Sequence, residues 1–212
     1  VMQHHGDGTK VVDLKGHTAI PGLNDSHLHL IRGGLNYNLE LRWEGVPSLA
    51  DALRMLKEQA LRTPSPQWVR VVGGWTEFQF AERRMPTLDE INDAAPDTPV
   101  FILHLYDRAL LNRAALKVVG YTKDTPNPPG GEIQRDANGN PTGMLIARPN
   151  AMILYATLAK GPKLPLEQQV NSTRQFMREL NRLGLTSAID AGGGFQNYPE
   201  DYEVIAELHE KK

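Results

Sequence analysis

Short apolar runs alternate with longer amphipathic segments along this chain, and that alternation restricts its fold more than any other feature. Buried strands are predicted for the runs QWVRVVGGW, VFILHLYD and LTSAID, which are rich in β-branched and aromatic residues. Between them, residues 48–62 and 164–183 place apolar side chains three and four positions apart, as on one helical face. Strands separated by helices long enough to cross over predict a parallel α/β architecture.

Local signals indicate where several elements begin and end. Ser48 with Asp51 and Thr87 with Glu90 have the spacing of capping boxes at helix starts. Residues 108–120 are predicted to be helical and to end at a glycine. The Asn138-Gly139 pair favours positive φ, so its flanks predict a β-hairpin outside the main sheet.

Composition excludes several functions. The chain has 23 Lys+Arg against 25 Asp+Glu, so no basic surplus is present to bind nucleic acid. It has 0 Cys, which leaves His, carboxylates, hydroxyls or a metal held by nitrogen and oxygen for any catalysis. No apolar run reaches the roughly 18 residues of a membrane span. We therefore expect a cytoplasmic protein, with an export signal before Val1 left open.

The segment Pro-Gly-Leu-Asn-Asp-Ser-His-Leu-His contains the strongest site signal. On an extended strand, residues two apart face the same way, so His27 and His29 can direct two imidazoles at one point. A metal about 2.1 Å from each nitrogen fits that arrangement. Asp25 lies on the same face and is predicted to orient an imidazole from behind.

This segment resembles the opening signature of the amidohydrolase superfamily, whose members are metal-dependent hydrolases on a TIM barrel. The text GGWTEFQFAERRMPTLDEINDAAPDTPVFI, PPGGEIQRDANGNPTGMLI and GLTSAIDAGGG is similar to the amidohydrolase 3 branch, which includes enzymes similar to N-substituted formamide deformylase. The resemblance implies a partial TIM barrel over residues 21–212, with a hairpin insertion at about 121–147. Residues 1–20 would be the remnant of a small N-terminal β-sandwich.

The resemblance also implies a chemistry. His27 and His29 would bind a divalent metal, most simply Zn with Fe, Mn or Ni as alternatives. The other ligands and the general base are expected beyond Lys212, since the chain ends within an unfinished helical pattern and is interpreted as an N-terminal portion. The whole protein would cleave non-peptide C–N bonds of small-molecule amides, whereas this portion alone would bind metal weakly and hydrolyse nothing. The sequence leaves a homo-oligomer open.

Other candidate residues carry weaker signals. Trp75 follows a predicted strand and a glycine pair, and it is a candidate for lining a substrate pocket or for packing in the core. His104 alternates with apolar residues, which favours a hydrogen-bonded core histidine. Asp190 stands near a strand exit before a glycine triplet, where it could contact a site, although helix capping or turn chemistry explains it more simply. Asp107-Arg108 stands where the resemblance leads us to expect Gly-His.

Two other classes of function stay open at this point. The chain could be a catalytically silent α/β binding module in which the His pair is structural. It could also be a nucleotide-binding sheet protein, although it contains neither a GxGxxG fingerprint nor a Walker-type loop. Stoichiometric metal in the purified protein separates the hydrolase from the silent module.

Overall fold

The computed structural model describes residues 2–192 and 197–211, and it has a mixed α/β architecture, as predicted. The strands in these ranges are β1 (Leu23–Leu28), β2 (Glu40–Arg42), β3 (Val69–Val72), β4 (Val100–His104), β5 (Arg108–Leu111), β6 (Gly131–Arg135), β7 (Pro141–Ala147) and β8 (Leu185–Asp190). The α-helices are α1 (Leu30–Leu35), α2 (Leu49–Arg62), α3 (Leu88–Ala94), α4 (Arg113–Val119), α5 (Met152–Leu158), α6 (Leu166–Arg182) and α7 (Glu203–Glu210).

Six strands form one mixed sheet in the order β2-β3-β4-β5-β7-β6. The first three are parallel, and helices connect them. The pairs β4-β5 and β6-β7 are antiparallel and are joined by short turns, and β7 also pairs antiparallel with β5. The predicted hairpin is confirmed as β6 and β7, but its predicted position outside the main sheet is wrong. Strand β7 pairs with β5, since β5 would otherwise leave a row of unpaired backbone groups at the sheet edge.

Both faces of this sheet are covered, and alternate residues of the central strand β4 reach opposite cores. Val100 and Ile102 pack with α2 and α3, whereas Phe101 and Leu103 pack with α4 and α5. All five residues of β4 are buried, which explains why the strand is a continuous apolar run in the sequence.

The helix signals are confirmed, with one correction. The Ser48 hydroxyl accepts from the backbone N–H of residue 51, and Thr87 and Glu90 form a full capping box. The helix predicted over residues 108–120 begins only at Arg113, because the preceding residues form β5. The turn before β5 places Leu105 at φ 49°, and a leucine carries none of the usual sequence signals for such a turn.

The remaining strands, β1 and β8, form a separate parallel pair. They are adjacent in space although the whole six-stranded sheet lies between them in sequence. Helices α1 and α6 pack tightly beside this pair: Gly34 approaches Thr173, and the Ser172 hydroxyl donates to the Gly34 carbonyl at 2.7 Å. A Cβ at Gly34 would lie 2.8 Å from the Thr173 hydroxyl oxygen, so glycine permits the close approach.

Residues 3–22 are exposed along their whole length. No strand forms over residues 5–22, and Val11, Val12 and Ile20 are exposed, because no neighbouring strand within the described ranges pairs with them. The assignment of residues 1–20 to a β-sandwich remnant, and the domain division at residue 20, stay predictions. Among the described helices, none combines the length and apolar character needed to cross a membrane.

Candidate metal-binding site

The two predicted histidines lie at the carboxyl end of β1. His27 belongs to the strand, whereas His29 follows it as the residue preceding α1, so the pair does not occupy one continuous strand as predicted. The strand also carries an irregularity: three steps from Asp25 to Leu28 oppose two steps from Ala188 to Asp190. Such a bulge changes the direction of side chains and is common next to functional sites.

The local geometry brings the two imidazoles together. Their ring centroids are 5.5 Å apart and the ring planes meet at 77°. Two imidazoles that bind one metal through nitrogens about 2.1 Å away place their centroids roughly 5 Å apart when the angle at the metal is near tetrahedral. The observed separation therefore fits a shared metal ion.

A contact on His29 leaves its other ring nitrogen available. The His29 Nδ1 atom is hydrogen-bonded to the carbonyl of Gly192, and a carbonyl can only accept, so Nδ1 carries the proton. The Nε2 atom then has a free lone pair. Histidines that bind metals commonly donate their second ring N–H to a backbone carbonyl in this way. The chemistry of His29 thus fits a ligand that binds through Nε2.

The Gly192 carbonyl is itself held in place by Asp190, the last residue of β8. One carboxylate oxygen of Asp190 accepts from the Gly192 N–H at 2.7 Å and from the Tyr198 hydroxyl at 3.2 Å. The other oxygen accepts from the Ile31 N–H at 2.8 Å, at the start of α1. Asp190 therefore joins the two strand ends on either side of His29.

The sequence left Asp190 open as a site contact, with helix capping or turn chemistry as the simpler explanation, and its contact with the neighbouring strand end was not predicted. The signal that could have found it is its position at the end of a predicted strand, because the ends of parallel strands meet at one edge. Of the glycine triplet that follows, Gly192 is described, whereas Gly193 and Gly194 lie outside the described residues.

Asp25 lies close to the pair but makes a different contact from the one predicted. Its carboxylate accepts from the backbone N–H of His27 at 2.9 Å, which supports the strand irregularity rather than a ring. An orienting role toward an imidazole stays a prediction. Within residues 2–192 and 197–211, no group of three or more His, Asp or Glu side chains is arranged to hold a metal ion.

Trp75 is not at a pocket surface. Its side chain is fully buried, its Nε1 donates to the Leu103 carbonyl at 2.9 Å, and its ring packs against Trp43 and Phe80. The prediction that Trp75 lines a substrate pocket is therefore wrong. The side chain follows a strand whose apolar face already points into the core, so the ring continues that core.

His104 is a hydrogen-bonded core histidine, in agreement with the sequence interpretation. Its Nε2 lies 2.8 Å from Glu77 and its Nδ1 lies 3.0 Å from Asp107, which also pairs with Arg108. Burial opposes ionisation of both carboxyls, but the hydrogen bonds that they accept outweigh it and lower the pKa of Glu77 and of Asp107. Both ring nitrogens of His104 are occupied, so the residue is unsuited to bind a metal.

Comparisons with known proteins agree with the motif. A sequence model of the amidohydrolase family matches residues 10–212. The N-substituted formamide deformylase of Arthrobacter pascens is 30% identical over 184 residues, which are 86% of this chain and 34% of that protein. The protein LONG AFTER FAR-RED 3 of Arabidopsis thaliana is 32% identical over 191 residues, or 90% of this chain and 32% of that protein.

A solved structure is similar in fold. The crystal structure of a metal-dependent hydrolase from Pyrococcus horikoshii matches 96% of this chain and 37% of its own with a TM-score of 0.58, at 24% sequence identity. At that identity the likeness concerns the fold alone. The chain spans about a third of the length of the curated relatives that it matches.

Proposed function

Because this chain belongs to the amidohydrolase family, we propose that it supplies part of the divalent-metal centre of a hydrolase that cleaves non-peptide C–N bonds of amides. The observation that carries the proposal is the pair of adjacent imidazoles, with ring centroids 5.5 Å apart, at the carboxyl end of β1. The bond from His29 to the Gly192 carbonyl supports it, since that bond leaves Nε2 free to bind a metal.

In this proposal each described residue has a defined task. His27 and His29 bind the ion, and Gly192 fixes which nitrogen of His29 faces it. Asp190 holds Gly192 and the start of α1, so the imidazole keeps its position when substrate binds. When bound, a divalent metal supplies Lewis acidity that activates water and polarises a carbonyl near neutral pH.

Two histidines are fewer protein ligands than catalytic metal sites use, which is at least about three. We propose that the remaining ligands and the general base lie in a region of the whole protein that corresponds to the part of the longer relatives that this chain does not match. The parallel pair β1 and β8 would then be neighbouring strands of a barrel, with the six-stranded sheet inserted between them. That location suits the carboxyl ends of barrel strands, where such enzymes place their sites.

The proposed substrate is a small linear or cyclic amide, and N-substituted formamides are included because a relative with 30% identity is named for them. Zinc is the first choice of metal, with iron, manganese or nickel as alternatives, because imidazole nitrogen binds all four. No specificity for the N-substituent follows from Trp75, since that side chain is in the core.

The test is metal content and turnover of the full-length protein, purified without chelator. We expect stoichiometric metal in the wild type, and release of amine from an amide panel that includes an N-substituted formamide. His27→Ala and His29→Ala should each lower metal content and turnover at least about tenfold. His17→Ala is the matched control, because His17 is an exposed histidine whose ring nitrogen bonds to the Leu14 carbonyl, within its own turn.

Metal-free wild-type protein, or equal effects of all three substitutions, would contradict the proposal and favour a silent binding module with a structural histidine pair. Metal bound without amide turnover would retain the metal centre but reject the proposed substrate class.

A further inference from the structure

A cavity of about 180 Å³ lies away from the histidine pair, between the C-terminal end of α1, the end of α5 and the start of α6. Neither His27 nor His29 lines it. Its apolar wall is formed by leucine and alanine side chains: Leu35, Leu158, Ala159 and Leu164. Three cationic side chains, those of Arg32, Arg70 and Lys163, line the same space.

Arg70 is the unusual member of this group. It belongs to β3 and is only 8% exposed, yet its Nε atom is buried without a hydrogen-bond partner. The contact available to its guanidinium is a long one, 3.4 Å from an Nη atom to the Pro162 carbonyl. A guanidinium has five N–H donors and stays charged inside proteins, so most of its hydrogen-bonding capacity is unused here.

The Glu40 carboxylate attracts Arg70 across the sheet but does not pair with it directly. Glu40 is its register partner on β2, but the Glu40 carboxylate bonds to Arg42 at 2.7 Å, and no ion pair joins Glu40 to Arg70 in the described part of the chain. Burial raises the pKa of Glu40, which further weakens it as a counter-charge. A buried cation without a paired anion is costly, so an anion is expected to complete this site.

The other charges around the cavity leave it positive. Arg32 lies over the ring of Tyr155, with 5.2 Å from its guanidinium carbon to the ring centroid. Lys163 forms no ion pair with any residue that the structure describes. Asp201 contributes one carboxylate, which accepts from the Asn197 N–H at 2.8 Å. Three cationic side chains and one carboxylate therefore line the space, together with the apolar wall and the uncharged polar side chains of Asn36, Tyr155 and Gln169.

We propose that this cavity binds a small monocarboxylate with a short apolar tail. The carboxylate would accept from Arg70, which is the planar, bidentate donor suited to it, with Lys163 adding a second charge. The tail would lie against the leucines. The volume is below the roughly 300–1,000 Å³ of pockets for drug-sized ligands, so the ligand has only a few carbon atoms beyond its carboxylate.

The test uses hexanoate as the probe and hexanamide as its neutral isostere, with the full chain and ligand-observed NMR titration. We expect hexanoate to bind at least about tenfold more tightly than hexanamide, because only hexanoate can form a charge-assisted hydrogen bond with Arg70. Arg70→Met should lower hexanoate affinity by about tenfold or more. Arg62→Met removes an exposed arginine at the end of α2 and should leave the affinity within about twofold, since surface charges matter little.

Circular dichroism of Arg70→Met checks that the variant is folded. If it is not, the comparison of hexanoate with hexanamide on the wild type and the effect of Lys163→Met decide instead, because Lys163 lies outside the sheet. Equal affinity for the two probes, unchanged binding by a folded Arg70→Met, or tighter binding of inorganic phosphate than of hexanoate would overturn the proposal. Absence of any probe binding would also overturn it.

Discussion

Replacing Asp190 by asparagine tests whether one carboxylate organises the ends of β1 and β8. In the wild type, its two oxygens accept separately from the backbone N–H groups of Ile31 and Gly192, at 2.8 and 2.7 Å. Asparagine retains one oxygen and replaces the other by an NH₂ group. Whichever way that amide is turned, one of the two backbone N–H groups then faces another donor.

The magnitude follows from these contacts. Leaving a buried N–H without an acceptor costs about 1–3 kcal/mol, and Ile31 is only 2% exposed. The hydrogen bonds that remain also lose the strengthening that a charged acceptor provides. We therefore expect Asp190→Asn to lower the free energy of unfolding by about 2–3 kcal/mol. In a domain of this size, that loss corresponds to a decrease of roughly 4–12 °C in melting temperature.

A second effect concerns metal binding. Because Asp190 accepts from the N–H of Gly192, whose carbonyl bonds to His29, its loss should also lower metal affinity about 10–100-fold in the full-length protein. The assays are urea denaturation and titration of the metal-free protein with Zn²⁺. Asp136→Asn is the matched control: one Asp136 oxygen accepts from two backbone N–H groups in an exposed turn, and asparagine keeps such an oxygen. Equal effects of the two substitutions on stability and on metal affinity would refute the reasoning.

Three further predictions concern the fold. The Asn112 side chain is fully buried and forms four hydrogen bonds, two accepted from backbone N–H groups and two donated to carbonyls. Asn112→Asp should therefore lower the free energy of unfolding in urea by about 3–5 kcal/mol. A loss under about 1 kcal/mol would contradict this. Gly143→Ala should lower the free energy of unfolding by about 3 kcal/mol, because a Cβ there would lie 2.3 Å from a backbone oxygen of β5. Gly139 has a similar φ without that clash, so Gly139→Ala should cost about 1 kcal/mol. Equal losses of stability in thermal unfolding would exclude the steric explanation. The bond from Arg84 lowers the pKa of Glu90 from 4.5 to about 2, so its stabilisation is complete above pH 4.5 and is lost as pH falls toward 2. Glu90→Gln should reduce the fall in melting temperature across that interval, and an unchanged acid dependence would contradict the assignment.

Much of the local structure could be predicted from the sequence. The caps at Ser48 and Thr87 and the glycine at residue 120 formed as predicted, because each depends on contacts within a few residues. Strand β5 was missed for the opposite reason: its residues have helical spacing, and only pairing with β4 and β7 makes them a strand.

The candidate site divides in the same way. Its two histidines and the family that they indicate were readable from one short motif, since residues two apart in sequence stay near each other even though only His27 lies in the strand. The bond from His29 to Gly192 joins residues 163 positions apart, and no local pattern encodes such a contact. The burial of the Arg70 charge was likewise unpredictable from local sequence. An arginine in a strand becomes buried with an unbonded Nε atom only once β2, α5 and α6 have packed around it.

The amino-acid sequence alone therefore determined the α/β class, the helix ends and the candidate metal-binding residue types of this protein, all through interactions within one element or turn. The tertiary structure decided which strands are neighbours, which nitrogen of His29 is free, and that Trp75 belongs to the core. These outcomes depend on bringing together segments far apart in the chain, where burial and backbone pairing outweigh local preference.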